Sequence, residues 1–321
     1  MMLLLASVFA AAPLTASASD APSKKQEIYT PWFTGPLLAP SATNAPPSHP
    51  SFSPSVTVFN TYGRYSSDWS IKKQDNIWAI NPIIDAQIGI TDNFGVETLI
   101  SAISNFQKGQ SATHFQDLTA LFGYQVSNDI KDSWVPDFRL ILQEIFPTGK
   151  YQNFSSDKQN IDSTGSGSFQ TGPNLAFRKL FYLPHNFFSL RGSINYLFPS
   201  HVHVKGFNTY GGGHGTKGKV KPGQNITAYL SGEYSINQHW VFAFDTEYFF
   251  QKKSRFSGKN GATSAGIATT GLPSSVQISF APEFEYNFSS ESGLLAGAWF
   301  TIAGRNSAAF GSAFIQYSFS F

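Results

Sequence analysis

The alternation in residues 309–321 constrains this chain more than any other stretch. In Ala309-Phe310-Gly311-Ser312-Ala313-Phe314-Ile315-Gln316-Tyr317-Ser318-Phe319-Ser320-Phe321, the positions Phe321, Phe319, Tyr317, Ile315 and Ala313 fall on one face of an extended strand. Ser320, Ser318, Gln316 and Ser312 fall on the other. Such a strand is suited to separating an apolar medium from a wet one, and its neighbours should then repeat the pattern.

Composition removes the main competing classes. A membrane-spanning helix needs about 20 consecutive apolar residues, and no such run exists after the first 20 positions of the 321. With 31 Phe, 13 Tyr and 27 Gly but only 13% charged residues, the aromatic content belongs to strands rather than to a charged soluble surface. A formal net charge of +2 gives no reason to expect nucleic acid as a partner. The absence of Cys excludes disulfides and thiolate metal sites, and suits a chain exported to an oxidising compartment. At the amino end, Leu3 to Ala12 form a short apolar core and Ala16-Ser17-Ala18 a small-residue site, predicting a signal peptide over 1–18. No Lys or Arg precedes that core. Pro13 and the shortness of the segment argue against a membrane anchor.

Residues 19–54 are rich in Pro, Ser and Ala and read as a periplasmic segment. Within it, Trp32, Phe33, Leu37 and Leu38 are too apolar for a plain linker. Packing against the periplasmic rim of a barrel is the simpler expectation, and insertion as a plug the sharper one. From Ser55 onward about twelve alternating segments follow: 55–65, 77–90, 94–105, 115–126, 137–147, 168–181, 187–198, 223–236, 239–252, 272–288, 293–303 and 309–321. Short joints such as Thr91-Asp92-Asn93, Asn237-Gln238 and Ser289 to Ser292 alternate with long polar ones at 148–167, 199–222 and 253–271. The expected fold is all-β: a transmembrane antiparallel up-and-down β-barrel of about 12 strands over 55–321, behind a Pro-rich periplasmic extension. Its closing strand resembles those of bacterial outer-membrane β-barrels, where a terminal Phe and alternate apolar residues are read by the barrel-assembly machinery. Phe321, Phe319 and Tyr317 would carry that signal.

Parity assigns the faces. In the ninth segment Trp240, Phe242, Phe244, Tyr248 and Phe250 share one side and Asp245 and Glu247 the other; in the tenth, Val276, Ile278, Phe280, Phe284, Tyr286 and Phe288 oppose Gln277, Glu283 and Glu285. In the second, Ile80, Ile84, Ile88 and Ile90 oppose Asp85 and Gln87. A carboxylate at the lipid midplane costs a few kcal/mol, so the acidic side is the lumen. Pro82 and Pro282 fall outward and should produce bulges. Glu144 breaks the rule, pointing to lipid if Arg139 and Gln143 point inward, unless a bulge intervenes or it reaches the outer headgroups.

The expected lumen-lining selectivity residues are Asp85, Glu97, Asp117, Arg139, Arg178, Arg191, Glu233, Asp245, Glu247, Glu283 and Glu285. A basic wall from strands five to seven facing an acidic wall would set a transverse field favouring polar or zwitterionic solutes. Alternatively, these charges pair to fill and stiffen the barrel. No Ser-His dyad with an orienting group is evident, so no catalytic residues and no cofactor are expected. His201, His203 and His214 lie in a Gly-rich stretch without a carboxylate, and no metal site is assigned to them. Gly211-Gly212-Gly213-His214-Gly215 lacks the ending of a phosphate loop. His239, beside Trp240, reads as an interfacial anchor.

Three stretches together carry a family resemblance: Phe146-Pro147-Thr148-Gly149-Lys150-Tyr151, Ser163-Thr164-Gly165-Ser166-Gly167-Ser168 and Trp32-Phe33-Thr34-Gly35-Pro36-Leu37-Leu38. They resemble the outer-membrane barrel family named for the meta-pathway of phenol degradation, whose members are commonly treated as transporter-like. The resemblance implies a barrel in the bacterial outer membrane and passage of small hydrophobic or aromatic compounds, and it supplies no catalytic residues. The expectation is therefore a non-enzymatic outer-membrane channel whose partners are outer-membrane lipid, the assembly machinery and a small-molecule solute. The alternatives are a closed structural or surface-binding barrel and, third, an outer-membrane enzyme.

Overall fold

The computed structural model describes residues 29–158 and 161–321, so the expected signal peptide over 1–18 and the first part of the Pro-rich segment lie outside the described residues. Twelve strands form the wall: β1 Ser51–Tyr65, β2 Ile71–Gly89, β3 Phe94–Gln107, β4 Leu118–Ser127, β5 Asp137–Phe146 and β6 Gln170–Tyr182. They continue with β7 Phe187–Pro199, β8 Asn225–Ser235, β9 Trp240–Gln251, β10 Ser275–Asn287, β11 Ser292–Arg305 and β12 Ala308–Ser320. Each pairs antiparallel with its sequence neighbours, and β12 returns to β1 with Ser51 opposite Ser320 and Arg64 opposite Ala308. That last pairing removes the open edge, which is obligatory where no water is available to satisfy backbone N–H and C=O groups.

The fourth segment is divided. Gln110–Phe115 forms an extra strand on the outer half of β3, and β4 pairs with the inner half, the register slipping by one residue between them. At the break Gln116 and Asp117 leave the ladder: Gln116 Oε1 accepts from Asn81 Nδ2 and Ser101 Oγ, and Asp117 bonds to an outer loop. The bulges expected at Pro82 and Pro282 are not present, because register is unchanged on either side of both prolines. At Pro82 the reason is visible. The Asn81 side-chain amide donates to the Ala102 carbonyl at 2.7 Å on the partner strand, supplying a hydrogen bond where proline has no donor. Glu144 does face outward, two residues from the outer end of β5, where Thr171 on β6 donates to its carboxylate.

Faces follow the expected parity. Ile84, Leu142 and Ile315 stand about half exposed on the outside, while Ser231, Asp245 and Glu283 are fully enclosed. Around the periplasmic end of β9 to β12 and β1, aromatic rings form a continuous belt. Trp240 meets Tyr286 at 4.8 Å, Tyr286 meets Phe288 at 5.2 Å, and Tyr317, Phe319 and Phe321 follow at 5.5 and 5.3 Å. Phe52 joins it from β1. Amphipathic rings of this kind suit the headgroup level of a bilayer, and an apolar outer surface this extensive suits lipid rather than water. The lipid-facing assignment predicts that Ile84→Arg, near mid-span on β2, lowers barrel stability by about 2–4 kcal/mol. Urea unfolding of the refolded barrel in bilayers, read by gel mobility, checks it.

Candidate functional site

Residues 29–50 touch the periplasmic turns at both ends, where Gln238 Nε2 donates to the Thr30 carbonyl at 2.6 Å, Trp32 packs edge-on against His239, and Asn44 Nδ2 donates to the Asn93 carbonyl at 3.0 Å. They cross the lumen inside the wall from the β8–β10 side to the β2–β5 side, as a strap whose backbone is held by inward side chains. Tyr29 reaches Ser235 Oγ at 2.8 Å at the end of β8, and Asn287 Nδ2 donates to the Trp32 carbonyl. The N–H groups of Thr34, Leu37 and Leu38 then donate to Glu285, Glu283 and Asp245 at 2.9, 3.2 and 2.7 Å. Further along, carbonyls of the strap accept from the wall, and the Asn44 N–H donates to Gln125 Oε1 at 3.1 Å. Arg139 Nη1 donates to Ser41 at 3.1 Å and Gln125 Nε2 to Ala42 at 3.1 Å. Ala42 is buried with Leu121, Ile141 and Ala176, and Pro47 bridges Gly89 before the chain enters β1 at Ser51.

The wall is shaped to receive this strap. A Cβ at Gly89 would stand 2.2 Å from the Ala45 carbonyl, so only glycine admits the backbone there. Gly35, at φ +93°, presents a bare surface to the Arg191 guanidinium. An unpaired polar backbone in a dry site is costly, and the lumen carboxylates and guanidinium remove that cost on both sides.

Most of the expected lumen residues gather into two charged groups in the periplasmic half. On one side, Arg139 pairs with Glu97 at 2.9 Å, with Asp85 close by and Gln87 also donating to Glu97. On the other, Arg191 lies 3.5 Å from Glu233, in the group that contains Asp245, Glu283 and Glu285. The arginines keep to β5, β6 and β7, but Arg139 and Arg191 each pair with a carboxylate on a strand outside that sector, Glu97 on β3 and Glu233 on β8. Arg178 pairs with Asp137 at 2.8 Å, a partner that sequence reasoning passed over because it begins its strand. Glu247 lies further up, accepting from Tyr229 and Ser279. Asp117 is apart from all of these: it accepts from the N–H groups of Gly149 and Ser166 and anchors the outer loop 147–169.

Above the strap is a cavity of about 650 Å³. Polar groups line it, among them Asn174, Asn195, Thr227, Gln143 and Arg178, interspersed with Phe33, Leu99, Leu121, Tyr229 and Phe249. Over the outer mouth, the loop from β5 to β6 is drawn in by buried Asp162, which faces Lys150 at 3.3 Å and His114 at 3.4 Å, and by Asn105 bonding to the Ile161 carbonyl. The histidines of the Gly-rich stretch have separate settings: His203 lies opposite Lys219 on a small outer sheet, and His214 packs edge-on against Phe207. His239 stacks on Tyr286 and bonds to the Asn287 carbonyl, at the level of the aromatic belt.

One signal of the strap in the sequence was its apolar cluster. A second signal was the glycines at 89, 95 and 123, where inward positions lack side chains: Gly95 adjoins Asn44, and Gly123 adjoins Arg139.

Comparison with known proteins gives the fold and little beyond it. No protein-family model matches the chain, and no curated protein matches it in sequence. Among solved structures it is similar to the COG4313 outer membrane channel from Pseudomonas putida F1, with a TM-score of 0.65 at 13% identity, over 89% of this chain and 100% of that one. Looser similarity extends to the Pseudomonas putida toluene transporter TodX, with a TM-score of 0.41 at 12% identity over 86% and 90% of the two chains. The NanC porin gives a TM-score of 0.36 at 13% identity, over 83% and 100%.

Two outcomes follow. Arg139→Ala leaves Glu97 enclosed without its cation and the Ser41 carbonyl without its donor, and should cost about 3–5 kcal/mol. Thermal unfolding checks this, and Arg139→Met with Glu97→Leu should recover most of the loss without recovering strap protection from protease. In the outer loop, burial pushes the Asp162 carboxyl up, but the Ser155 N–H, His114 and Lys150 outweigh it and hold the group below its ordinary value. A depressed folded value means this contribution is complete above the ordinary carboxylate pKa of about 4 and is lost as pH falls through the lower value. Hydrogen exchange of residues 147–158 should accelerate in that acid window, and Asp162→Asn should remove the dependence.

Proposed function

We propose that this chain is an outer-membrane channel for small solutes, with residues 29–50 as a gate that must shift for passage. The observation that carries the reading is the cavity of about 650 Å³ that the strap and the inward faces of the wall line together. Its size falls within the usual range of small-molecule sites, roughly 300–1,000 Å³. The mixed lining suits molecules with an apolar body and a few hydrogen-bonding groups, hydroxylated aromatics among them, in keeping with the resemblance of the three sequence stretches to the phenol meta-pathway barrels. On this reading Arg178 and Glu247 meet the solute directly. The paired groups Arg139, Glu97 and Asp85 on one side, and Arg191, Glu233, Asp245, Glu283 and Glu285 on the other, act through the strap they hold. Export on a leader over 1–18 and folding by machinery that reads Tyr317, Phe319 and Phe321 complete the proposal.

A second reading, a permanently closed barrel that braces the envelope, draws on the same strap and the same charge pairs. Planar-bilayer recordings separate the two. The chain contains no cysteine, so Ala42→Cys with Ala176→Cys introduces one disulfide between strap and wall. Oxidation should abolish conductance and reduction restore it, and removal of residues 29–50 should raise conductance several-fold. Absence of current in the reduced and the strap-deleted proteins, both folded, would leave the closed barrel standing.

A further inference from the structure

Beyond the membrane, the outer ends of β7, β8 and β9 continue into a three-stranded sheet formed by Val202–Lys205, Lys217–Lys221 and Arg255–Lys259. Its two faces differ completely. Val202, Val204, Val220 and Phe256 lie on one, buried against Tyr210, Tyr151 and Leu272. The other carries Lys205, Lys217, Lys219, Lys221, Arg255 and Lys259, all exposed, with His203 beside Lys219. Register puts like charges directly opposite one another: Lys217 faces both Lys205 and Lys259, and Lys221 faces Arg255. Directly opposed like charges on neighbouring strands are destabilising. None of these six cations forms an ion pair among the described residues. The sequence offers no neighbour to relieve them, since no Asp or Glu occurs between Asp162 and Glu233 or between Glu247 and Glu283.

The apolar face is turned toward the mouth of the barrel. Tyr151, which packs on it, belongs to the loop that Asp117 anchors at the outer end of β4. The cationic face is therefore turned away from the pore axis. It stands just above Tyr196, Phe198 and Lys252, where Lys252 Nζ lies 3.2 Å from the Tyr196 hydroxyl at the outer edge of the wall. In a barrel of the outer membrane this is the level of the outer-leaflet headgroups.

We infer that this sheet is a docking surface for the phosphorylated headgroup of lipopolysaccharide. Strands about 4.8 Å apart, with same-face residues about 6.8 Å apart along each, set six cations in a compact grid. Lysine binds phosphate as a mobile point charge, and clustered Lys and Arg at a membrane surface recognise anionic headgroups. The soluble phosphates of the medium share this chemistry, but the position of the sheet at the leaflet favours the lipid.

The test uses the full refolded barrel and deep-rough lipopolysaccharide in detergent micelles, with binding followed by fluorescence of labelled lipid. The comparison variant carries Lys217→Gln, Lys219→Gln, Lys221→Gln and Arg255→Gln together. Each cation near an anionic surface changes binding by about five-fold, so the loss of four should weaken binding by about 600-fold. The unmodified chain should also lose binding when the lipid phosphates are removed enzymatically, and progressively as salt is raised. Equal binding by the folded variant, or equal binding of dephosphorylated lipid, would overturn the inference. So would displacement of the lipid by inorganic phosphate at matched phosphate concentration, which would assign the sheet to soluble anions. If the variant barrel does not fold, the dephosphorylation and salt series on the unmodified chain decide the matter.

Discussion

A charged side chain withdrawn from water must find a partner, and the interior of this barrel is arranged around that requirement. Glu233, Asp245, Glu283 and Glu285 are fully enclosed, with Arg191 as the cation beside Glu233. Backbone N–H groups of the strap donate to one oxygen each of Glu285, Glu283 and Asp245, and the second oxygens of Glu283 and Glu285 are buried without a hydrogen-bond partner among the described residues. The dependence is mutual, because an extended segment without secondary structure has N–H and C=O groups that need partners where the segment is buried. Strap and lumen charges are one structural unit, and neither is stable in its observed form without the other.

The wall imposes the complementary condition. Its outward face must be apolar and its backbone fully paired, which requires a closed wall and hence the β12 to β1 seam. Those demands leave the inward face free to carry polar chemistry at nearly every second residue. Within that face, position decides role. Asp117, at the outer end, holds a loop; Arg139, near the inner end and paired with Glu97, holds the strap; Glu247, further out, lines the cavity.

Much of the wall was legible because period two reports which medium a residue faces, and the cost of a carboxylate in lipid gives that period a sign. The closing strand, the inward acids and the outward Glu144 could all be assigned by parity alone. Parity could not bring residues from different strands together, so the separation into two charged groups was hidden: Arg139 finds Glu97 and Arg191 finds Glu233 through barrel curvature and register. The strap was hidden for a different reason. It has no repeat, and its partners lie up to 255 residues away in sequence, as in the Asn287 to Trp32 hydrogen bond. The prolines misled because an asparagine beside Pro82 supplies the missing donor, a substitution that a rule about backbone alone does not contain.

Residues 29–50 cross the lumen with their backbone held by its charged groups. Residue-resolved amide exchange of the folded barrel in lipid nanodiscs tests this directly. The amides of Thr34, Leu37 and Leu38 should exchange with protection comparable to those of the neighbouring strands, and Glu283→Gln should accelerate Leu37 before its neighbours. Exchange of all three at the rate of an open chain would contradict the account.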